Sequence, residues 1–335
     1  MQNLSGYIIF ASHQPENILT LDADKRHLPY IQLINSFQSH NISLLPAKYG
    51  QARASRFEIH LNVQPAVTNQ FSYALIHEPS SILPNNFNRN TLSRYRHIFT
   101  WSKELHSQMP DKSTLLAIPH HLSPSLSIGF NERKSFAALI ASNKSLRKLD
   151  LSVDLYLERL RTIRWYERFQ PSFFSLYGSN WSKSPKLPTR IGSLVHKIED
   201  KFPPLFNWFP SWRGTIHDKA RILQNSLFNF AYENTIADGY ITEKLFDSFV
   251  NGCVPIYLGA PNILDYVPSN CFIDRRNFSS NENLFDHLKS IDSKQYDAYQ
   301  RNINSFLLST TSSPFSINTF IQAILHQVER DLASK

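Results

Sequence analysis

In the stretch "FAYENTIADGYITEKLFDSFVNG", Lys244 falls in what reads as the first turn of a helix. Helix amino termini carry partial positive charge and favour Asp or Glu, so this lysine is locally of the wrong sign. Two arrangements would excuse it. Lys244 could pair with an acid such as Asp238, with Glu243 simply suiting the helix dipole. Alternatively, the N–H groups of the helix mouth and the ammonium could together hold a phosphate. Glu233 and Asn234 stand just upstream, at the end of the apolar run "LFNFAY". That is the strand end beyond which open parallel sheets bind ligands. Thr242 is placed so that its hydroxyl can cap the helix. Leu245, Phe246, Phe249 and Val250 supply an apolar face, and Gly252 is a terminator.

The elements that must position these groups repeat along the chain. Apolar runs at 7–10, 42–46, 57–63, 73–79, 97–102 and 115–120 predict strands covered on both faces, as in parallel α/β sheets. Residues 119–131, "PHHLSPSLSIGFN", form a Pro/Ser/Gly-rich break. The pattern resumes with strands at 136–142, 173–178, 227–233, 254–259 and 271–276 and a periodic helix over 152–169. Alternating strand and helix in both halves predicts two βαβ-type domains facing each other across a cleft. The expected division is residues 1–130, residues 131–315 and a carboxyl-terminal helix over 316–335.

A length of 335 residues suits two domains, and 41% hydrophobic with 13% aromatic residues describes a folded protein rather than a disordered one. A formal charge of +8 favours anionic partners without choosing among nucleic acid, membrane and phosphorylated small molecules. Two cysteines, Cys253 and Cys271, make no disulfide framework or CxxC site and fit a reducing compartment. The amino-terminal apolar run is too short for a signal peptide or anchor, so a cytoplasmic location is expected, with the Asn-x-Ser/Thr sequons as chance matches. The final "FIQAILHQVERDLASK" is a modest amphipathic helix, which supports at most peripheral membrane contact. Asp22 and Asp24 form an Asp-x-Asp that could bind a metal, but their place before "KRH" suits a turn or helix start.

Four blocks in order resemble the α-1,3/1,4-fucosyltransferase family, glycosyltransferase family 10. They are Trp212-Arg213-Gly214 through Lys219, Asn229-Phe230-Ala231-Tyr232-Glu233-Asn234-Thr235, Gly239-Tyr240-Ile241-Thr242-Glu243-Lys244 and Val254-Pro255-Ile256-Tyr257-Leu258-Gly259. With "ALIASNK", "LYLERLRTIRWYE" and "FFSLYGSNW", the likeness covers roughly 136–275, while the first domain matches weakly. The resemblance implies an α/β GT-B fold with an acceptor-side and a donor-side Rossmann-like domain. It implies inverting transfer of L-fucose from GDP-β-L-fucose, with no required metal and Mn or Mg at most stimulatory. It assigns Glu243 to the ribose hydroxyls, Lys244 to the pyrophosphate, and Tyr240 and Asn234 to the donor pocket. A phosphate-binding arginine is expected on the 152–169 helix, with Arg159 favoured over Arg161 and Arg164. Arg159 and Arg161 point about 200° apart on a helix, so one of them at most faces the site. Lys219 either contacts phosphate or begins a solvated helix. Glu233 either orients the donor loop or is a buried structural carboxylate.

Inverting transfer needs a base for the acceptor hydroxyl. Glu78 in "YALIHEPSS" follows an apolar strand, precedes a Pro/Ser loop and resembles the family's E-S-P-S-N segment, departing from it where Pro79 directly follows. His77, its neighbour, is expected to face the other way and pack locally. The expected acceptor is GlcNAc O3 in an N-acetyllactosamine-type glycan. A transferase of another nucleotide sugar and a basic nucleic-acid-binding protein are the alternatives. The nearest basic-aromatic stretch, "ERLRTIRWYERF", is interrupted by Glu158 and Glu167, so nucleic acid is not an expected partner.

Overall fold

The computed structural model describes residues 4–10, 27–49, 55–67, 69–146, 150–187, 189–202, 207–216 and 218–333. Asp22 and Asp24 lie outside them. The chain folds as two units, one of residues 1–122, 238–240 and 313–335, the other of residues 123–237 and 241–312.

The first unit holds strands β1 (Leu4–Phe10), β2 (Ile42–Lys48), β3 (Phe57–Leu61), β4 (Ser72–Ile76), β5 (His97–Thr100) and β6 (Ser113–Leu115). They form one sheet in the order β2-β1-β3-β4-β5-β6, parallel throughout. Helices α1 (Leu28–Ser39), α2 (Arg89–Leu92) and α3 (Lys103–Gln108) connect them. Every residue of β4 and β5 is buried, which is why these strands read as continuous apolar runs. In place of the expected strand over 115–120, the chain forms β6 at Ser113–Leu115.

The second unit holds β7 (Ser135–Ile140), β8 (Phe174–Tyr177), β9 (Ser226–Tyr232), β10 (Val254–Leu258) and β11 (Ile273–Asp274), again all parallel, in the order β11-β10-β9-β7-β8. Its helices are α4 (Leu155–Phe169), α5 (Arg190–Lys201), α6 (Lys219–Asn225), α7 (Glu243–Val250), α8 (Asn281–Ser290) and α9 (Ser293–Leu307). Leu139, Ile163, Tyr166, Phe174, Phe228, Phe230 and Ile256 fill its core. Burial pushes the thiols of Cys253 and Cys271 up to about 12, as suits inert core cysteines.

The last helix, α10 (Ile317–Ala333), completes the first unit rather than standing as a separate piece. Its Ile317, Phe320, Ile321, Ile324 and Val328 join Ile8, Leu33, Phe37 and Ile59 in that unit's core. Asp331 anchors it, accepting hydrogen bonds from Tyr73 (3.1 Å), Arg96 (3.1 Å) and Gln327 (2.9 Å). The division between units falls after Leu122, earlier than the composition suggests.

The segment that opens the second unit is fixed by Arg133, which is buried. Its guanidinium donates to the carbonyls of Ile128, Leu223, Gln224, Ser226 and Gly252 and lies over the Tyr296 ring at 5.5 Å. Replacing Arg133 with methionine strands several buried carbonyls, so a loss of about 3 kcal/mol is expected. Urea denaturation followed by tryptophan fluorescence checks it; an unchanged midpoint would refute the bracing role.

Candidate functional site

In the second unit the chain runs outward from β7 to β8, then returns to the other side of β7 with β9. The β7/β9 boundary is therefore the sheet's topological switch point, the place where such sheets bind ligands beyond the strand ends. Glu233 and Asn234 directly follow β9 there.

Glu233 is fully buried, with 0% exposure. Its Oε1 accepts the backbone N–H of Thr242 at 2.8 Å, and its Oε2 accepts the Thr242 hydroxyl at 2.7 Å and the Lys244 ammonium at 3.2 Å. The carboxylate at the end of β9 thus ties down the start of α7. The capping hydrogen bond expected from Thr242 is not made; its hydroxyl instead donates to Glu233 and accepts from the Lys244 ammonium. Gly259 makes room for this arrangement. A Cβ there would lie 2.5 Å from Glu233 Cγ and 2.6 Å from the Tyr257 hydroxyl.

Lys244 donates to Thr242 Oγ1 at 2.8 Å and also meets Glu243 Oε1 at 3.3 Å. The carboxylates at its ammonium are those of Glu233 and Glu243. Burial opposes its charge, but these two acids outweigh that and hold the ammonium well above the ordinary lysine range.

Arg159 enters from α4, whose start Asp154 caps by accepting from Tyr156 and Leu157. At 3% exposure its guanidinium donates to the carbonyls of Tyr232 (2.6 Å) and Glu233 (2.7 Å) and to Asn234 Oδ1 (3.0 Å), with Tyr156 beneath it at 4.9 Å. Arg161 and Arg164 lie elsewhere: Arg161 pairs with Glu158, and Arg164 pairs with Glu167 over the Phe209 ring. Lys219, the first residue of α6, is half-buried against Asp247 of α7 rather than solvated. Burial pulls its pKa down, and Asp247 with Glu243 more than restores it.

Tyr240 and Glu78 come together in the first unit, where the Tyr240 hydroxyl donates to Glu78 Oε2 at 3.3 Å. Trp101 packs on Tyr240 at 5.2 Å between ring centroids. The backbone around Glu78 is held from several sides. Asn62 Oδ1 accepts from the N–H groups of His77 and Glu78, Asn86 donates to the Glu78 carbonyl, and Trp101 donates to that of His77. The His77 ring meets the Tyr30 hydroxyl at 3.3 Å.

Asp247, Asn62 and Asn86 carry no motif and went unsignalled in the sequence. Asn62 adopts φ +61°, a left-handed conformation that asparagine tolerates better than most residues, and its contacts reach 15 to 24 positions along the chain.

Residues 175–313 match the family described as glycosyltransferase family 10 (fucosyltransferase), C-terminal. A GDP-fucose protein O-fucosyltransferase 3 from Bos taurus is 28% identical over 238 residues, 68% of this chain and 43% of that protein. The 4-galactosyl-N-acetylglucosaminide 3-alpha-L-fucosyltransferase 9 of Mus musculus is 37% identical over 127 residues, 36% of this chain and 34% of that one. Matched stretches span between 17% and 43% of the curated relatives' lengths. Among solved structures, an alpha1,3-fucosyltransferase with GDP superposes with a TM-score of 0.54 at 13% identity, covering 98% of this chain and 91% of that one. With two parallel α/β sheets, the fold is GT-B.

Glu233→Gln turns an amide N–H2 toward donors already committed to the carboxylate and leaves Lys244 with one acid fewer. A loss of about 3 kcal/mol is expected from breaking this buried pair. Chemical denaturation checks it, and stability equal to the wild type would contradict the bracing role of Glu233.

Proposed function

We propose that the chain, whose residues 175–313 match the family described as glycosyltransferase family 10 (fucosyltransferase), C-terminal, is a fucosyltransferase of that family that transfers L-fucose from GDP-β-L-fucose, with inversion, to a glycan hydroxyl, O3 of GlcNAc in an N-acetyllactosamine-type acceptor. The observation that carries this reading is the charged mouth of α7, where the Lys244 ammonium lies between the carboxylates of Glu233 and Glu243.

Breaking the anomeric bond leaves negative charge on GDP while the sugar becomes oxocarbenium-like, so cations fixed beforehand at the phosphates favour the transition state. Lys244 supplies one such charge, and the amino end of α7 adds its dipole. The Lys244 ammonium contacts Thr242, Glu233 and Glu243. Glu243, with its side chain 42% exposed, is the partner able to release it and turn to the ribose hydroxyls. Arg159 joins the site through Asn234, or by exchanging a carbonyl for a phosphate oxygen, and Lys219 adds charge beside Glu243. The reading requires no metal, so added EDTA leaves turnover intact.

In the first unit Glu78 takes the proton of the acceptor hydroxyl. The hydrogen bond from Tyr240 orients it, and the clamps on its backbone limit its excursions.

Lys244→Ala is expected to lower turnover with GDP-fucose by ~100- to 1000-fold. Near-normal turnover in a variant with an unaltered circular dichroism spectrum would overturn the assignment. Glu78→Gln is expected to keep GDP-fucose binding by calorimetry while losing ~100-fold or more of transfer; normal transfer removes the base role. Because relatives named for protein and for glycan fucosylation both match, the acceptor assay pairs N-acetyllactosamine with peptides, and GDP-mannose with GDP-fucose.

A further inference from the structure

We propose that α5 docks this protein onto an anionic lipid surface. Of its twelve residues, Gly192 and His196 are the buried ones. A Cβ at Gly192 would lie 2.7 Å from the Leu187 carbonyl, so the helix packs closest along this small-residue side. The His196 Nε2 sits 2.7 Å from the Ser184 carbonyl, and Glu199 accepts from the Ser184 N–H and hydroxyl. These contacts set which face looks inward.

The large apolar residues are on another face. At 100° per residue Ile191, Leu194, Val195 and Ile198 form one stripe, and Phe202, just past the helix, extends it. All five are exposed, Ile191 at 75% and Phe202 at 73%. A surface helix ordinarily turns such a stripe to its core. Apolar residues gathered in one exposed patch mark an interaction surface.

The neighbouring charges decide what covers it. Arg190, Lys197 and Lys201 fall within about 40° of one another on the flank beside Leu194. Arg190 and Lys197, with Lys186, Thr189 and Ser193, line a cavity of about 620 Å³, and no acid among the described residues lines it. The nearby acids are engaged: Glu199 on Ser184, and Asp200 with Lys183. An aliphatic and aromatic stripe edged by cations is the pattern of a helix lying in the plane of a membrane interface, cations at headgroup level. The stripe is the convex face of a single helix, which suits insertion between lipids.

Co-sedimentation of the full chain with vesicles tests this. Pelleting is expected with vesicles containing about one-third phosphatidylglycerol and not with pure phosphatidylcholine, and it should weaken as salt rises. Ile191→Glu with Ile198→Glu, and separately Arg190→Glu with Lys197→Glu, should each lower the vesicle affinity by tenfold or more while the thermal midpoint stays at the wild-type value. Wild type that stays in solution, or variants that pellet equally, overturns the proposal. So does a wild-type dimer that the Ile191/Ile198 variant dissociates without any vesicle binding, because the face then belongs to a second copy. Should either double variant unfold, Lys197→Gln alone serves as the charge variant, with unchanged pelleting counting against the proposal.

Discussion

A buried carboxylate governs the second unit. A fully buried Glu233 would be costly without partners, since an unpaired interior charge is destabilising by several kcal/mol. Among the described residues its carboxylate bonds Thr242 and Lys244, so the loop over 235–241 can close in few ways. The amino end of α7, the Lys244 ammonium and the Thr242 hydroxyl all face one acid. Lys244 is therefore of the right sign for its surroundings, though of the wrong sign for the first turn of a helix considered alone. Stability and the proposed chemistry draw on the same charge.

The same economy appears in Arg159. Its guanidinium holds the last carbonyls of β9 and, through Asn234, the first side chain beyond the strand. Asp154 caps the helix that carries Arg159, and residues 153–154 pair with 235–236 across an isolated bridge. Three chain segments distant in sequence are thus pinned to one strand end, which gives a ligand-binding region little freedom to rearrange.

Much of this was legible in the residues alone. Strands β4, β5 and β9 announced themselves as continuous apolar runs because every residue in them is buried, and the four motif blocks located the β9–α7 region. Local side-chain choices were harder. Thr242 has the residue type and position of a cap, yet its hydroxyl serves an acid nine residues upstream. Lys219 reads equally as a phosphate contact or a solvated helix start until Asp247, one helix later, is brought beside it. Asn62 and Asn86, which hold the backbone at Glu78, act across 16 and 8 positions, and no local pattern encodes them. Residue type and period report burial and helix ends; they do not report which distant side chain completes a hydrogen bond.

The placement of α10 bears on how the protein is made. Residues 317–328 fill a core whose other members begin at Ile8. A chain emerging amino end first presents its first sheet with part of one face uncovered, and that face stays open until residues 317–328 have been synthesised. The second unit, from Ser123 to Ser312 apart from residues 238–240, can close sooner. Maturation of the first unit is then a late, long-range event, the kind of closure that slows folding and prolongs exposure of apolar surface to chaperones.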